Sequence, residues 1–250
     1  MERPLKKNDL AIVLPLLNCV EYTKQFLPTI KSKYNFNLFI INNGSTDGTS
    51  KFLKTLKKKK NYFITQFKEN KGVSFAWNLG MRQAITMFDA KYFLIPNNDV
   101  LLHPTTIDRL IEAINLPRAV LTSATDYAGR VSTPSDILKT KPPKKLELVE
   151  APDFSCFMLK KETLDKVGFF DEKFFPAYFE DNDFHHRINL AGYRAIKTSR
   201  SIYFHFGSRT LKSTPNVKEK LNIGYSNNEA YYIKKWGGKP GEEKYKKPRG

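Results

Sequence analysis

The sequence is poor in cysteine and in long apolar runs. Its 250 residues include only Cys19 and Cys156, too few for a disulfide framework or a structural zinc site, which favours a reducing compartment. No apolar run approaches the roughly 18 residues that a transmembrane helix needs. Two lysines before the apolar residues 10–17 resemble the start of a signal peptide. Because that run is short and Pro15 interrupts it, we interpret it as a first buried strand.

Acidic residues are also few relative to basic ones. The 25 Asp+Glu against 42 Lys+Arg give a formal net charge of +17, which predicts attraction to nucleic acid, phosphate-rich polymers, nucleotides or anionic lipid. Lysines concentrate at residues 57–60, in a basic loop at 139–145 and in the last dozen residues, which we interpret as a flexible basic tail. We expect a cytoplasmic protein, with peripheral contact to the anionic inner membrane face as one site of action.

Several catalytic signatures are missing. No Gly-x-Gly-x-x-Gly follows the first apolar run and no Walker phosphate loop is present, which argues against a dinucleotide dehydrogenase or a P-loop enzyme. No Ser-His-Asp or Cys-His arrangement suggests nucleophilic catalysis. The candidate functional residues are therefore carboxylates and amides.

Short apolar runs alternate with segments of helical spacing. This alternation predicts an α/β fold with a mostly parallel sheet and helices on both faces. Strands are predicted at residues 10–15, 37–41, 62–67, 91–96, 119–124, 154–159, 194–198 and 201–205. Helices are predicted at residues 21–32, 73–86, 105–114, 162–167, 180–191 and 217–236, with a further helix after residue 48 that Ser45 or Thr46 is expected to cap.

Polar clusters follow three of the predicted strands, at residues 15–18, 42–47 and 97–99. Ligands of open parallel sheets bind beyond the carboxyl ends of the strands, so we expect these clusters to face one crevice. Asp99 is a candidate Mg²⁺ or Mn²⁺ ligand if substrate phosphates supply further oxygens, with a turn or helix-cap role as the alternative. His205 is a candidate metal ligand or a structural histidine.

Two further groups could take part in chemistry. Glu180 and Asp181 open a helix among aromatic residues that could raise a carboxyl pKa, so either is a candidate general base. The alternative is that the helix dipole alone favours acids at that place. A glycoside hydrolase is disfavoured because its two carboxylates must lie about 5 Å or more apart across the bond. Ser208 and Arg209 are candidate phosphate contacts.

Five segments in order resemble a family 2 glycosyltransferase with the GT-A fold. They are IVLPLLN at residues 12–18, IINNGSTDGT at 40–49, NKGVSFAWNLG at 70–80, LIPNNDV at 94–100 and EDNDFHHR at 180–187. Residues 205–208 and 235–237 resemble the closing motifs of that family, so the resemblance spans about residues 10–237.

The resemblance implies inverting transfer of one sugar from a nucleotide-sugar, in a rhamnosyltransferase-like branch. By the same resemblance, Asp99 and His205 bind Mn²⁺ or Mg²⁺, and Asp181 is the general base with Glu180 beside it. The residues that it implies for nucleotide-sugar binding are Pro15, Leu17, Asn18, Asn42, Lys71, Gly72, Asn78 and Asn98. It also implies a catalytic domain at residues 1–211, with a nucleotide-sugar half to about residue 100, followed by a C-terminal helix and tail at 212–250.

Departures from the family pattern leave the substrates open. Asn42 stands where the family usually has an aspartate that accepts a hydrogen bond from uracil. Leu17 stands where an aromatic residue often stacks on the base. UDP-, TDP- and GDP-sugars therefore all stay candidates. The expected acceptor is a glycan or lipid-linked sugar of surface glycan synthesis. The alternatives are DNA with hydroxymethylated bases, or a basic nucleic-acid-binding protein without catalysis. No obligate protein partner is inferred.

Overall fold

The computed structural model describes residues 5–207 and 215–249, and only the backbone of residues 215–222. The strands are β1 Leu10–Leu16, β2 Phe36–Asn43, β3 Tyr62–Phe67, β4 Tyr92–Pro96, β5 Val100–Leu102, β6 Ala119–Asp126, β7 Leu148–Val149, β8 Cys156–Lys160 and β9 Arg194–His205. The α-helices are α1 Val20–Phe26, α2 Thr49–Leu56, α3 Val73–Phe88, α4 Thr106–Ile114, α5 Lys161–Val167, α6 Glu180–Leu190 and α7 Pro215–Trp236. Short 3₁₀ helices lie at Leu27–Thr29 and Pro134–Leu138.

The strands of this part of the chain form one sheet in the order β3-β2-β1-β4-β8-β6-β9-β5, with β7 paired to β9. The first four strands along the chain are parallel, as the alternation predicts. β8 is antiparallel to both β4 and β6, and β9 is parallel to β6. The carboxyl ends of β1, β2, β4, β6 and β9 therefore lie along the same edge of the sheet.

Helices cover both faces of the sheet, and β1 shows why. Its side chains alternate, so Leu10, Ile12 and Leu14 enter one apolar cluster while Ala11 and Val13 enter the other. The first cluster contains residues of α1, α2 and α4, and the second contains residues of α3, α5 and α6. A strand that is buried on both faces has a continuous run of apolar residues in its sequence. The interpretation of residues 10–15 as a buried strand is confirmed.

Three local predictions are wrong. The short strands predicted at 194–198 and 201–205 form the single strand β9, because its pairing with β6 resumes beyond a register shift. The predicted cap of α2 is not Ser45 or Thr46: Gly48 precedes the helix, and Asp47 accepts the backbone N–H of Thr49 at 3.0 Å. The tail beyond α7 also folds back, because two of its backbone N–H groups donate to the carbonyl of Trp236.

Candidate active site

The polar clusters at the ends of β1, β2 and β4 meet, as the sequence predicts. The backbone N–H of Asn18 donates to Ser45 Oγ at 2.8 Å, and Asn18 Oδ1 accepts from the backbone N–H of Thr46 at 2.7 Å. Asn98 Nδ2 donates to the backbone oxygen of Asn18 at 3.2 Å and to Thr23 Oγ1 at 3.1 Å. These contacts join the three loops into one surface, which we call the strand-end site.

Buried amides hold this surface together. Asn42 is 1% exposed and uses both amide hydrogens, on Ser50 Oγ and Gln66 Oε1. Asn78 is fully buried, donates to Phe170 O and accepts from the Phe170 backbone N–H. Hydrogen bonds of this kind fix the positions of the loops that they join. The predicted contacts of Asn42 and Asn78 with the nucleotide-sugar stay predictions.

The loop before α3 is tied to the same surface. Asn43 Oδ1 accepts the backbone N–H of Lys71, and Asn43 Nδ2 donates to the backbone oxygen of Gly72, each at 2.9 Å. Gly72 has a φ of +93°, and an added Cβ would lie 3.1 Å from the ring of Phe175. A glycine is required there because L side chains rarely adopt that φ. Lys71 itself is exposed and pairs with Glu69.

The other residues predicted to bind the nucleotide-sugar differ in solvent exposure. Pro15 and Leu17 are half-buried at the end of β1, whereas Asn18 and Asn98 are buried. The roles of these four residues toward a nucleotide stay predictions. The predicted phosphate contacts Ser208 and Arg209 lie outside the described residues.

Asp99 and His205 lie against each other across the pairing of β5 with β9. Asp99 Oδ1 is 3.2 Å from His205 Nε2, and the Asp99 backbone oxygen accepts the N–H of Phe206. Burial lowers the pKa of His205, but the hydrogen bond and charge of Asp99 outweigh it and the pKa lies above its usual value. Asp126 also contributes, because its charge acts on His205 and its Oδ1 accepts the His205 backbone N–H at 3.1 Å.

This pair fits a divalent cation. Two neighbouring ligands at about 2.1 Å from an octahedral ion are about 3 Å apart, close to the separation of these two atoms. Among the described residues no group of three Asp, Glu, His or Cys side chains is arranged to hold a metal ion. Substrate phosphates and water would therefore have to complete the coordination shell.

Asp153 is an acidic residue that the sequence interpretation missed. It accepts from Tyr203 OH at 2.7 Å, and it precedes Ser155, whose backbone oxygen accepts the N–H of Asn97. Its charge raises the pKa values of both His205 and Asp181. The charge of Asp153 thus acts on one of the metal-binding candidates and on the candidate base. An acidic residue directly before a predicted apolar strand was the available signal.

Glu180 and Asp181 form the first turn of α6. Burial raises the pKa of Asp181, and the charge of Asp153 raises it further. The hydrogen bond from the backbone N–H of Asn182 lowers it, but the pKa remains above its ordinary value. Burial and then the charge of Asp181 raise the pKa of Glu180 well above its ordinary value. Glu180 Oε2 is buried without a hydrogen-bond partner. Half-buried Asp181 is thus the more accessible of two basic carboxylates.

Helix α7 supports the loop that carries these carboxylates. Tyr178 and Phe179 both have positive φ, at 82° and 69°, immediately before α6 begins. Asn228 of α7 donates to the backbone oxygens of Ala177 at 2.9 Å and Tyr178 at 3.0 Å, and its Oδ1 accepts the Phe175 N–H. A backbone of this kind costs free energy and needs such support. Sequence reasoning gave Asn228 no role, because a single helical asparagine carries no motif.

Comparison with known proteins gives the family of this chain. Residues 11–180 match the sequence model of the family described as Glycosyl transferase family 2. The chain belongs to glycosyl transferase family 2. A galactofuranosyl glycosyltransferase of Leishmania donovani is 27% identical over 214 residues, covering 69% of this chain and 49% of that protein. The family 2 chain thus spans about half the length of the curated relatives that it matches.

Solved structures share the fold. A mannosyltransferase from Pyrobaculum calidifontis in complex with GDP-Man and Mn²⁺ has a TM-score of 0.59 and 17% identity, covering 80% of this chain and 57% of that one. TarS 1-349 of S. aureus in complex with UDP-GlcNAc has a TM-score of 0.56 and 15% identity, covering 86% and 66%. The GT-A fold expected of this family 2 chain is confirmed. Within its described residues, no helix has the length and apolar character to cross a membrane.

Proposed function

We propose that this chain transfers one sugar from a nucleotide-sugar donor to an acceptor hydroxyl, with inversion at the anomeric carbon and a divalent cation. The observation that carries the proposal is the contact of Asp99 Oδ1 with His205 Nε2 at 3.2 Å, and the charge of Asp153 acts on both His205 and Asp181. A cation held by Asp99 and His205 and a base at Asp181 would both lie within reach of the charge of Asp153. Membership of family 2 and the Mn²⁺ and GDP-Man in the related mannosyltransferase support the same proposal.

The reaction follows from these groups. Asp181 removes the proton of the acceptor hydroxyl, and the oxygen attacks the anomeric carbon from the face opposite the diphosphate. The bond between that carbon and the diphosphate oxygen breaks, and the nucleoside diphosphate leaves with the electron pair. Asp99 and His205 would hold Mn²⁺ or Mg²⁺, which supplies neutralisation of the charge on the diphosphate. The loops fixed by Asn42 and Asn98 keep donor and acceptor in line.

The hydrolase alternative receives no support from the site. An inverting or retaining hydrolase places its two carboxyl groups about 5 Å or more apart, on opposite sides of the bond. Glu180 and Asp181 are consecutive residues of one helical turn, and Glu180 is buried. We infer that Asp181 acts as a single base and that Glu180 supports it.

The decisive experiment measures nucleoside diphosphate released from UDP-, TDP- and GDP-sugars with Mn²⁺, Mg²⁺ or chelator. We expect metal-dependent release, and a product whose anomeric configuration by NMR is opposite to that of the donor. Asp99→Asn removes a charged ligand, so half-activation should need at least tenfold more Mn²⁺. The control Asp165→Asn alters an exposed aspartate of α5 and should change nothing. Release that is independent of metal and of Asp99 would contradict the proposal.

The same assay distinguishes the candidate acceptors. A glycan, a lipid-linked sugar and DNA with hydroxymethylated bases are offered in turn, and only the true acceptor should increase nucleotide release above slow donor hydrolysis. A protein that only binds nucleic acid would release no nucleotide with any donor. Its DNA affinity would also fall steeply between low and physiological salt.

A further inference from the structure

A second concave feature lies outside the strand-end site. It is a pocket of about 220 Å³ between the start of α4, the basic loop and β9, lined by Thr105, Arg109, Pro142, Pro143, Lys144 and Arg200. At about 30 Å³ per water, that volume holds about seven waters. Arg200 precedes His205 by five residues on β9, which corresponds to about 16 Å along an extended strand. The pocket is therefore separate from the candidate metal pair.

The basic loop is fastened at both ends, so the pocket is a built feature. At one end, the hydroxyl and the backbone N–H of Thr140 both donate to the backbone oxygen of Asp136, at 2.9 and 3.0 Å. At the other end, Ser199 Oγ donates to the backbone oxygen of Lys145 at 3.1 Å and accepts the N–H of Glu147 at 3.0 Å. The residues between these ties, including the two prolines, are held over α4 and Arg200. Proline also restricts the backbone of the loop.

The charges of the pocket are unbalanced. Arg109 is paired through one terminal nitrogen with Glu112, at 2.7 Å, which leaves its other donors unused by that ion pair. Arg200 and Lys144 have no carboxylate partner among the side chains that the structure describes. Arg200 is half-buried, so part of its hydration is already lost. A half-buried guanidinium without an anion is a strong donor for one.

We propose that this pocket binds a phosphate group. Three cationic side chains and the hydroxyl of Thr105 surround one small cavity, and arginine donors match the oxygens of a phosphoryl group. The pocket also lies at the first turn of α4, where the helix dipole favours negative charge. The two prolines form an apolar wall that limits its width. The ligand is a phosphate other than the donor diphosphate, and the inference does not depend on sugar transfer.

The test is calorimetric titration of the full chain with inorganic phosphate. We expect Arg200→Gln to weaken phosphate binding at least tenfold, because a charge-assisted hydrogen bond is lost. The matched control is Arg130→Gln, which alters an exposed arginine that lies over Tyr127, and it should bind as the unaltered protein does. Nucleoside diphosphate binding with Mn²⁺ should be the same in all three proteins, which separates this pocket from the donor site.

Vesicles distinguish the source of the phosphate. Binding to phosphatidylglycerol vesicles but not to phosphatidylcholine vesicles, lost in Arg200→Gln, would assign the pocket to a lipid headgroup. Binding of inorganic phosphate alone would assign it to a soluble phosphate ester. Equal phosphate affinity in the unaltered protein and in Arg200→Gln would overturn the proposal. So would the absence of any phosphate binding. A thermal melt of Arg200→Gln that matches the unaltered protein excludes misfolding as the cause of a loss.

Discussion

Amide and carboxylate side chains have different tasks at the strand-end site. Asn18, Asn42 and Asn98 satisfy backbone and side-chain groups of the loops, and their amides carry no charge that burial would penalise. Asp99 and Asp181 are the residues for which we propose chemical roles, and burial raises the pKa of Asp181. A neutral scaffold of asparagines therefore supports a few charged groups.

The raised pKa of Asp181 predicts a pH dependence. The carboxylate accepts a proton only above that pKa, so activity should fall as the pH decreases through the raised value. Asp181→Asn removes the base and should lower the transfer rate by about 10²- to 10⁴-fold, abolishing the acidic limb of the profile. The measurement is the rate at saturating donor and acceptor across about pH 4 to 8. Loss of the limb in Glu180→Gln rather than in Asp181→Asn would reassign the base.

Single residues were predictable where a motif and a strand end coincided. Asp99 follows an apolar run and His205 ends another, so both could be selected as candidates from local sequence. Asp153 and Asn228 could not be selected in this way. Their partners lie about 50 residues away, at Tyr203 and at 175–178, and only the folded chain brings them together. The burial of Asn42 and Asn78 likewise depends on tertiary packing.

At the scale of elements, α7 and the loop before α6 form one unit. Asn228 is buried and bonds backbone groups on both sides of the loop, whose Tyr178 and Phe179 have positive φ. Without that support, the backbone that leads into Asp181 would be held less firmly. We therefore treat Asn228 as a positioning residue.

Asn228→Ala tests this assignment. Loss of its hydrogen bonds should reduce kcat about tenfold or more while the KM for the donor changes little, because those bonds go to the loop before α6. The unfolding free energy should fall by about 1–3 kcal/mol, which urea titration measures. The matched control is the neighbouring exposed Asn227→Ala, expected to leave both quantities unchanged. A fall in stability with unaltered kcat would show a purely structural role.

Elements were more predictable than their ends. The alternation of apolar runs predicted β1 to β4 and the helices on both faces, because strands buried on both sides have a distinctive local pattern. The continuity of β9 and the order of the tail were not predictable. Both depend on contacts with distant strands and helices, and a lysine-rich tail looks solvated in isolation.

At the scale of the whole molecule, the charge of +17 is unevenly distributed. The strand-end region itself is acidic, with Asp99, Asp126, Asp153, Glu180 and Asp181 around it. The cations of residues 57–60 and 139–145 lie elsewhere on the chain. The acidic centre suits a metal ion, while the basic exterior suits a phosphate-bearing partner. We therefore expect the net charge to affect the choice of partner more than the reaction.

The C-terminal helix is joined to the rest of the molecule by a buried ion-pair network. Lys235 is 8% exposed and lies 2.7 Å from Asp171 and 2.6 Å from Asp183, while Trp236 Nε1 donates to Asp183 Oδ1. Phe174 and Phe179 pack with Tyr232 and Trp236 around it. Removing one member of a buried pair leaves the other charge uncompensated, which costs far more than losing an exposed pair.

Lys235→Met should therefore destabilise the whole chain by about 3–5 kcal/mol, which urea unfolding measures. Arg187 still pairs with Asp183 at 2.9 Å, which places the expected value toward the lower end of that range. Lys239→Met is the control, because Lys239 is exposed and its pair with Glu229 should contribute little to stability. If the two variants lose equal stability, helix α7 is held by its apolar contacts alone, and the ion pairs do not join it to the rest of the molecule.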